Sequence, residues 1–190
     1  MGALLSSFFV KESIPICVFG LDNVGKTTMC HIQLPQNYTP FIGFACETYE
    51  FKGMTFTLFD VGGCDKIRPL YKHFFTNSKA LIFMVDSTDR ERFDIVEKEF
   101  KYLLDSQELI GCPFLIMANK QDLESAMSLQ EITEKLKLNN VFDRYWKVQG
   151  TCAITGQGLD EGLDWINTIK TQKGNKLMIE NKSSSISLSK

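Results

Sequence analysis

A chain of 190 residues, 44% hydrophobic and 23% charged, carries enough apolar material for one compact domain with short appendages. A formal net charge of -2, from 21 basic and 23 acidic residues with no basic stripe, argues against a nucleic-acid partner. No apolar run reaches the roughly 18–20 residues of a membrane-spanning helix, and residues 1–10 lack the basic start of a secretory signal.

In chain order, Ile14 to Phe19 is a short apolar run closed by Gly20, the pattern of a buried strand. Lys26 to Leu34 has helical spacing, and Pro35 is placed to stop it. Phe44 to Phe51 and Met54 to Phe59 are strand-like runs around Lys52-Gly53, a hairpin turn. A helix carrying His73 is expected next, and Ala80 to Val85 follows as a buried strand. Arg90 to Leu104 places Phe93, Val96, Phe100, Leu103 and Leu104 on one face of a helix. Pro113 to Ala118 is strand-like, Leu129 to Leu136 a short helix, Tyr145 to Thr151 the last strand and Leu159 to Ile169 the last helix. This alternation predicts an α/β fold: a doubly wound, mainly parallel six-stranded sheet with one antiparallel edge hairpin strand and helices on both faces. Ligands of such sheets sit at the carboxyl ends of the strands. The polar tail from Gln172 to Lys190 is serine-rich, is expected to be disordered and does not end in a prenylation box.

The six cysteines, Cys17, Cys30, Cys46, Cys64, Cys112 and Cys152, are irregularly spaced with no C-x-x-C pair. That spacing points to reduced thiols, several of them inside apolar runs, rather than to a zinc site.

Gly20-Leu21-Asp22-Asn23-Val24-Gly25-Lys26-Thr27 matches G-x-x-x-x-G-K-[ST] between a predicted strand and a predicted helix, the context a P-loop requires. Glycines let the backbone bend around a phosphate, successive N–H groups point inward, and the helix N-terminus adds partial positive charge. Asn23, Val24, Gly25, Lys26, Thr27 and Thr28 are therefore the expected phosphate-binding positions. Lys26 would reach the β- and γ-phosphates, and the Thr27 hydroxyl would ligate Mg2+.

A phosphate loop alone leaves an ATPase or a P-loop kinase open. Asn119-Lys120-Gln121-Asp122 follows a predicted strand and matches the N-K-x-D guanine motif. A carboxylate such as Asp122 can accept from both N1–H and the 2-amino group of guanine, a donor pair adenine does not present. Thr151-Cys152-Ala153 follows the last strand and resembles a loop whose amides meet the guanine O6, which assigns Cys152 and Ala153 to the base. Asp60-Val61-Gly62-Gly63 closes the strand after the hairpin, with Asp60 placed to hold the metal through water and Gly63 to meet the γ-phosphate.

Together these stretches resemble the ADP-ribosylation factor (Arf) and Arf-like small GTPase family over about residues 1–171. The resemblance rests also on Ile42-Gly43-Phe44, Asp65-Lys66-Ile67-Arg68-Pro69 and Gly158-Leu159-Asp160-Glu161-Gly162-Leu163. It implies a switch that binds GTP or GDP with Mg2+, acts in vesicle trafficking, and is served by an exchange factor, a GTPase-activating protein and effectors. A monomer is expected, cytoplasmic and peripheral on membranes, the Golgi among the candidates. Phe44, Phe59 and Phe74 match an aromatic cluster that effectors use in the family, with simple core packing the other reading.

Two departures bear on hydrolysis. Where the family has threonine before Ile-Gly-Phe, this chain has Phe41, which cannot ligate a hard cation. Thr39 stands about 6–7 Å away in an extended segment. Where the family has glutamine to orient the attacking water, this chain has Cys64, a short, weakly hydrogen-bonding thiol. The resemblance thus puts Cys64 at the family's catalytic glutamine position, and hydrolysis is expected to be slow. The alternative is a guanine-nucleotide-binding interaction module with little or no GTPase activity.

Met1-Gly2-Ala3-Leu4-Leu5-Ser6 fits the N-myristoylation pattern at Gly2, and Leu4, Leu5, Phe8 and Phe9 form one apolar stripe on a helix. A short helix packed on the protein's own surface is the other reading, and the two are compatible. The domain plan is an amphipathic N-terminal helix over 1–12, a GTP-binding domain over 13–171 and the polar tail over 172–190. His31 and His73 have no metal-ligand partner at suitable spacing, and Asp89-Arg90-Glu91-Arg92 reads as a solvated helix start.

Overall fold

The computed structural model describes residues 14–33, 46–51, 53–60 and 68–169. Gly2, Pro35, Phe41, Phe44, Gly63, Cys64 and the tail lie outside these residues, as do the side chains of His31, Phe59, Asp60 and His73.

Six strands form one sheet: β1 (Ile14–Gly20), β2 (Cys46–Phe51), β3 (Met54–Asp60), β4 (Ala80–Asp86), β5 (Phe114–Asn119) and β6 (Trp146–Gly150), in the order β2-β3-β1-β4-β5-β6. Only the β2–β3 hairpin pairing is antiparallel; β1 runs parallel to both β3 and β4, and β4–β5 and β5–β6 are parallel. Among the described residues the α-helices are α1 (Lys26–Gln33), α2 (Arg68–Phe75), α3 (Phe93–Asp105), α4 (Leu129–Lys135) and α5 (159–169). Every residue of β4 and β5 is buried, as expected of central strands covered on both faces.

Successive strand side chains point to opposite faces, so β5 reports which helix covers which face. The Phe114 ring lies 5.9 Å from that of Phe100 on α3. The next residue, Leu115, reaches so near Gly162 of α5 that a Cβ there would lie 3.1 Å from it. Helices α3 and α5 thus cover opposite faces. On the α3 face an aromatic row continues: Phe83 of β4 packs 5.1 Å from Phe100, and Phe19 of β1 packs 5.3 Å from Tyr71 and 5.4 Å from Phe75 of α2.

Most elements match the sequence expectation to within a residue or two, the ordinary uncertainty of element ends. The exception is α3, which begins at Phe93 rather than Arg90. The Asp89 carboxylate accepts the Arg92 backbone N–H at 3.1 Å and its Nε–H at 2.6 Å, so a side-chain-closed turn replaces the first helical turn. Ser128 caps α4 by accepting the Glu131 N–H at 3.1 Å. Arg144, whose side chain is almost fully buried, donates to the Leu104 and Leu109 carbonyls at 3.0 and 3.3 Å and stacks 4.7 Å over the Phe114 ring. It fastens the end of α3 to the approach of β6. Cys17, Cys30, Cys112 and Cys152 are buried and form no disulfide among the described residues. Burial pushes the Cys17 thiol up to about 12, where it is inert as a nucleophile. No helix among the described residues is long and apolar enough to cross a membrane.

Phe100 joins β4, β5 and α3 through two ring contacts. Phe100→Ala is expected to cost about 3–5 kcal/mol, read by urea unfolding; a loss under about 1 kcal/mol would contradict this packing.

Candidate functional site

Parallel pairing aligns strand ends. Gly20 stands opposite Asp60, Asp86 opposite Asn119, and Ala118 opposite Gly150. The segments after β1, β3, β4, β5 and β6 therefore leave from one edge of the sheet. The phosphate loop, Asp60, the Asn119 to Asp122 segment and the Thr151 to Ala153 segment start at this edge. The path from β1 leads to the β2–β3 side, while β3 is followed by α2 and β4 on the other side of β1. Chains that part in opposite directions leave a crevice at that edge.

The loop after β1 is folded as the phosphate-loop pattern requires. Asn23 has φ +60° and Gly25 φ +101°. A Cβ at Gly25 would meet the Asn119 side-chain nitrogen at 2.4 Å, so only glycine allows this approach. The Gly25 carbonyl accepts the Met29 N–H at 2.9 Å and opens α1. Lys26 is buried, and its Nζ donates to the carbonyls of Gly20 at 2.9 Å and Leu21 at 2.6 Å. Thr27, in the first turn of α1, is exposed, and Thr28 beside it is half-buried. A buried ammonium, a glycine-bent loop and an exposed hydroxyl at a helix N-terminus fit a polyphosphate with a hard cation.

Asn119, at the end of β5, is buried and ties this loop to the one after β6. Its Nδ2 donates to the Val24 carbonyl at 2.8 Å; its Oδ1 accepts from the Ala153 N–H at 2.8 Å and the Thr151 hydroxyl at 3.2 Å. The loop after β6 is closed by Cys152 N–H to Gln157 O at 3.0 Å and Gly156 N–H to Cys152 O at 2.9 Å. It returns through Gly158 at φ +77°, where a Cβ would lie 2.0 Å from the Gly150 carbonyl. Cys152 and Ala153 are buried, so the backbone of this loop is what it can offer a ligand.

Lys120 adopts φ +65°, rare for a residue with a Cβ, and turns the chain toward the exposed Asp122. Its Nζ pairs with Asp86 Oδ2 at 2.5 Å, while Asp86 Oδ1 accepts from the Thr88 N–H at 2.9 Å and hydroxyl at 2.7 Å. Burial alone would raise the Asp86 carboxyl, but the bonds from Lys120 and Thr88 outweigh it and hold it below the usual carboxylate range. Gln121 donates to the Ser87 hydroxyl at 2.8 Å and the Met127 carbonyl at 3.1 Å. The guanine-motif loop is thus braced from β4. Asp86 was not singled out in the sequence; its signal was a carboxylate ending an apolar strand.

Sequence reasoning also missed Arg92, read as a solvated helix start. Its guanidinium reaches Asp22 of the phosphate loop at 2.8 Å. The structure therefore assembles Asn23, Val24, Gly25, Lys26, Thr27 and Thr28 with Asn119, Lys120, Asp122, Cys152 and Ala153 at one edge of the sheet, with the backbone of Asp60 on the neighbouring strand end. Gly63 and Cys64 lie outside the described residues. Among the described residues no cluster of His, Cys, Asp or Glu forms a metal site of its own.

Asn119→Ala would strand the Val24 carbonyl and the Ala153 N–H without partners. We expect a stability loss of about 2–4 kcal/mol and faster nucleotide release; a change under about half a kcal/mol in chemical unfolding would contradict the joint.

A model of the ADP-ribosylation factor family matches residues 1–169. Among solved structures the chain is similar to the Arl6 BBS3 small GTPase from Trypanosoma brucei with bound nucleotide analogue GppNp. The two share 33% sequence identity over 84% of this chain and 98% of that one, with a TM-score of 0.70. With the family match spanning the whole sheet and the loops at its carboxyl edge, this chain belongs to the ADP-ribosylation factor family of GTP-binding small GTPases.

Proposed function

We propose that this protein is a membrane-associated guanine-nucleotide switch in vesicle trafficking whose own GTP hydrolysis is slow. The observation that carries the nucleotide half is the Asn119 side chain, which couples the phosphate loop at Val24 to the Ala153 amide and thereby sets phosphate and base subsites at a fixed spacing. The similar Arl6 structure holds a nucleotide analogue. In this reading the amides of Asn23 to Thr28 and the Lys26 ammonium hold the phosphates, and Asp122 accepts from N1–H and the 2-amino group of guanine. The aliphatic stem of Lys120 flanks the base, and the backbone of the loop carrying Cys152 and Ala153 borders its O6 edge. Gly63 meets the γ-phosphate.

Thr27 and Asp60 would hold Mg2+, Asp60 through water. The ion supplies charge neutralisation of the β- and γ-phosphates. Slow hydrolysis rests on the sequence: Cys64 replaces the glutamine that orients water, and Phe41 replaces the threonine that would complete the metal shell. Phosphoryl transfer depends on positioning and charge stabilisation, so losing both is costly. The same two residues favour the second reading, a nucleotide-binding interaction module that barely turns over. An activating protein, an exchange factor and effectors would then act on the bound state more than on the chemistry.

Cys64→Gln tests this. Single-turnover GTP hydrolysis is expected to rise at least about tenfold, and an unchanged rate would remove Cys64 as the cause.

Attachment to membranes, the Golgi among the candidates, is assigned to Gly2 and the apolar stripe of Leu4, Leu5, Phe8 and Phe9. One myristoyl chain binds with only about 10⁴ M⁻¹, so the stripe supplies the second signal. Protein made with an N-myristoyltransferase should co-sediment with neutral vesicles, and Gly2→Ala should lower that partition by at least about tenfold. Equal partition of the two forms would refute the lipid anchor.

A further inference from the structure

The phosphate loop has two ends with different surroundings. Its Val24-Gly25 end abuts Asn119, on the side of the base. Its Gly20-Leu21 end holds the Lys26 ammonium, the group assigned to the β- and γ-phosphates. Asp22 is the next residue, and its exposed carboxylate feels the charge of that ammonium. Its carboxyl is held below the usual range, first by the hydrogen bond from Arg92 and also by the charges of Arg92 and Lys26. A negative group beside the cation meant for phosphate is a liability, because like charges at close range repel.

The structure supplies a counterweight. Arg92 comes from the turn before α3, seventy residues away in sequence, and donates to Asp22 Oδ1 at 2.8 Å. Asn23 Nδ2 donates to Asp22 Oδ2 at 3.1 Å. Arg92 is aimed by Asp89, which accepts its Nε–H at 2.6 Å and its backbone N–H at 3.1 Å. Both partners of the Asp22–Arg92 pair are substantially exposed, so as a stability element it is worth little. Its consequence is the charge it neutralises at the mouth of the loop.

We propose that Arg92 is a positioning residue that sets the preference for GTP over GDP, by holding the Asp22 carboxylate neutralised and turned away from the γ-phosphate. The inference rests on the nucleotide-site reading above. GDP lacks the outermost phosphate charge, so the pair bears more on GTP than on GDP. Without Arg92 the free carboxylate opposes the extra negative charge of the terminal phosphate. With the carboxylate also removed, that opposition disappears.

The test is a set of dissociation constants for GDP and for a non-hydrolysable GTP analogue with Mg2+, at low salt, on the full chain. Four proteins are compared: wild type, Arg92→Gln, Asp22→Asn and the double variant. Arg92→Gln is expected to weaken the GTP analogue about five- to tenfold relative to GDP, and the double variant to regain the wild-type ratio. Raised salt should shrink the effect. If Arg92→Gln weakens both nucleotides equally, the pair is a loop support and the proposal fails. If the double variant stays as weak for the GTP analogue as Arg92→Gln, Arg92 acts on the nucleotide directly and the proposal also fails. Wild type that binds neither nucleotide would instead overturn the reading of the site itself.

Discussion

One side-chain amide holds together the loops of the proposed nucleotide site. Asn119 uses three of its four hydrogen-bonding capacities, one on the phosphate loop and two on the loop after β6. These loops end strands that are not neighbours: β1 and β6 are separated by β4 and β5. No backbone ladder can fix the spacing between them, and a buried side chain between them does. The amide is worth more than its bond count suggests, because each group it satisfies is buried and would cost free energy alone.

The sheet register makes that joint possible. Asn119 is the last residue of β5, paired with Asp86 at the end of β4, and Asp86 in turn holds Lys120 by its ammonium. The left-handed conformation of Lys120 is tolerated because Asp86, Gln121 and the backbone around Ser87 and Met127 determine the loop on every side. With a net charge of only -2, the chain offers no bulk field to attract an anion. Attraction would be local instead, from the N-terminus of α1, the phosphate-loop backbone and the buried Lys26 ammonium. The same locality explains why a single carboxylate at Asp22 requires a dedicated partner.

The fold was legible because buried parallel strands are continuous apolar runs, and Ala80 to Val85 and Pro113 to Ala118 are such runs. The phosphate loop and the guanine motif were legible because their chemistry is written in adjacent residues. The start of α3 was not, because Asp89 bonds to Arg92 in a turn that the helical spacing of Phe93, Val96 and Phe100 extends through on paper. Arg92 and Asp22 carry no local signal of their pairing, since the contact exists only after β1 and β4 are side by side. Arg144 is a similar case: a cation in a polar stretch gave no hint that it would be buried over Phe114. Asn119 was assigned to the base by motif; its bond to Val24 belongs to the tertiary structure and has no counterpart in the order of residues.

If Asn119 holds the two subsites at a spacing set for guanine and polyphosphate, selectivity should follow both halves of the ligand. Isothermal calorimetry of folded, nucleotide-free protein against GDP, IDP and ADP separates them. The account predicts clear binding of GDP, weaker binding of IDP, which lacks the 2-amino group, and little of ADP. Equal heats from GDP and ADP, or none from any of the three, would contradict it.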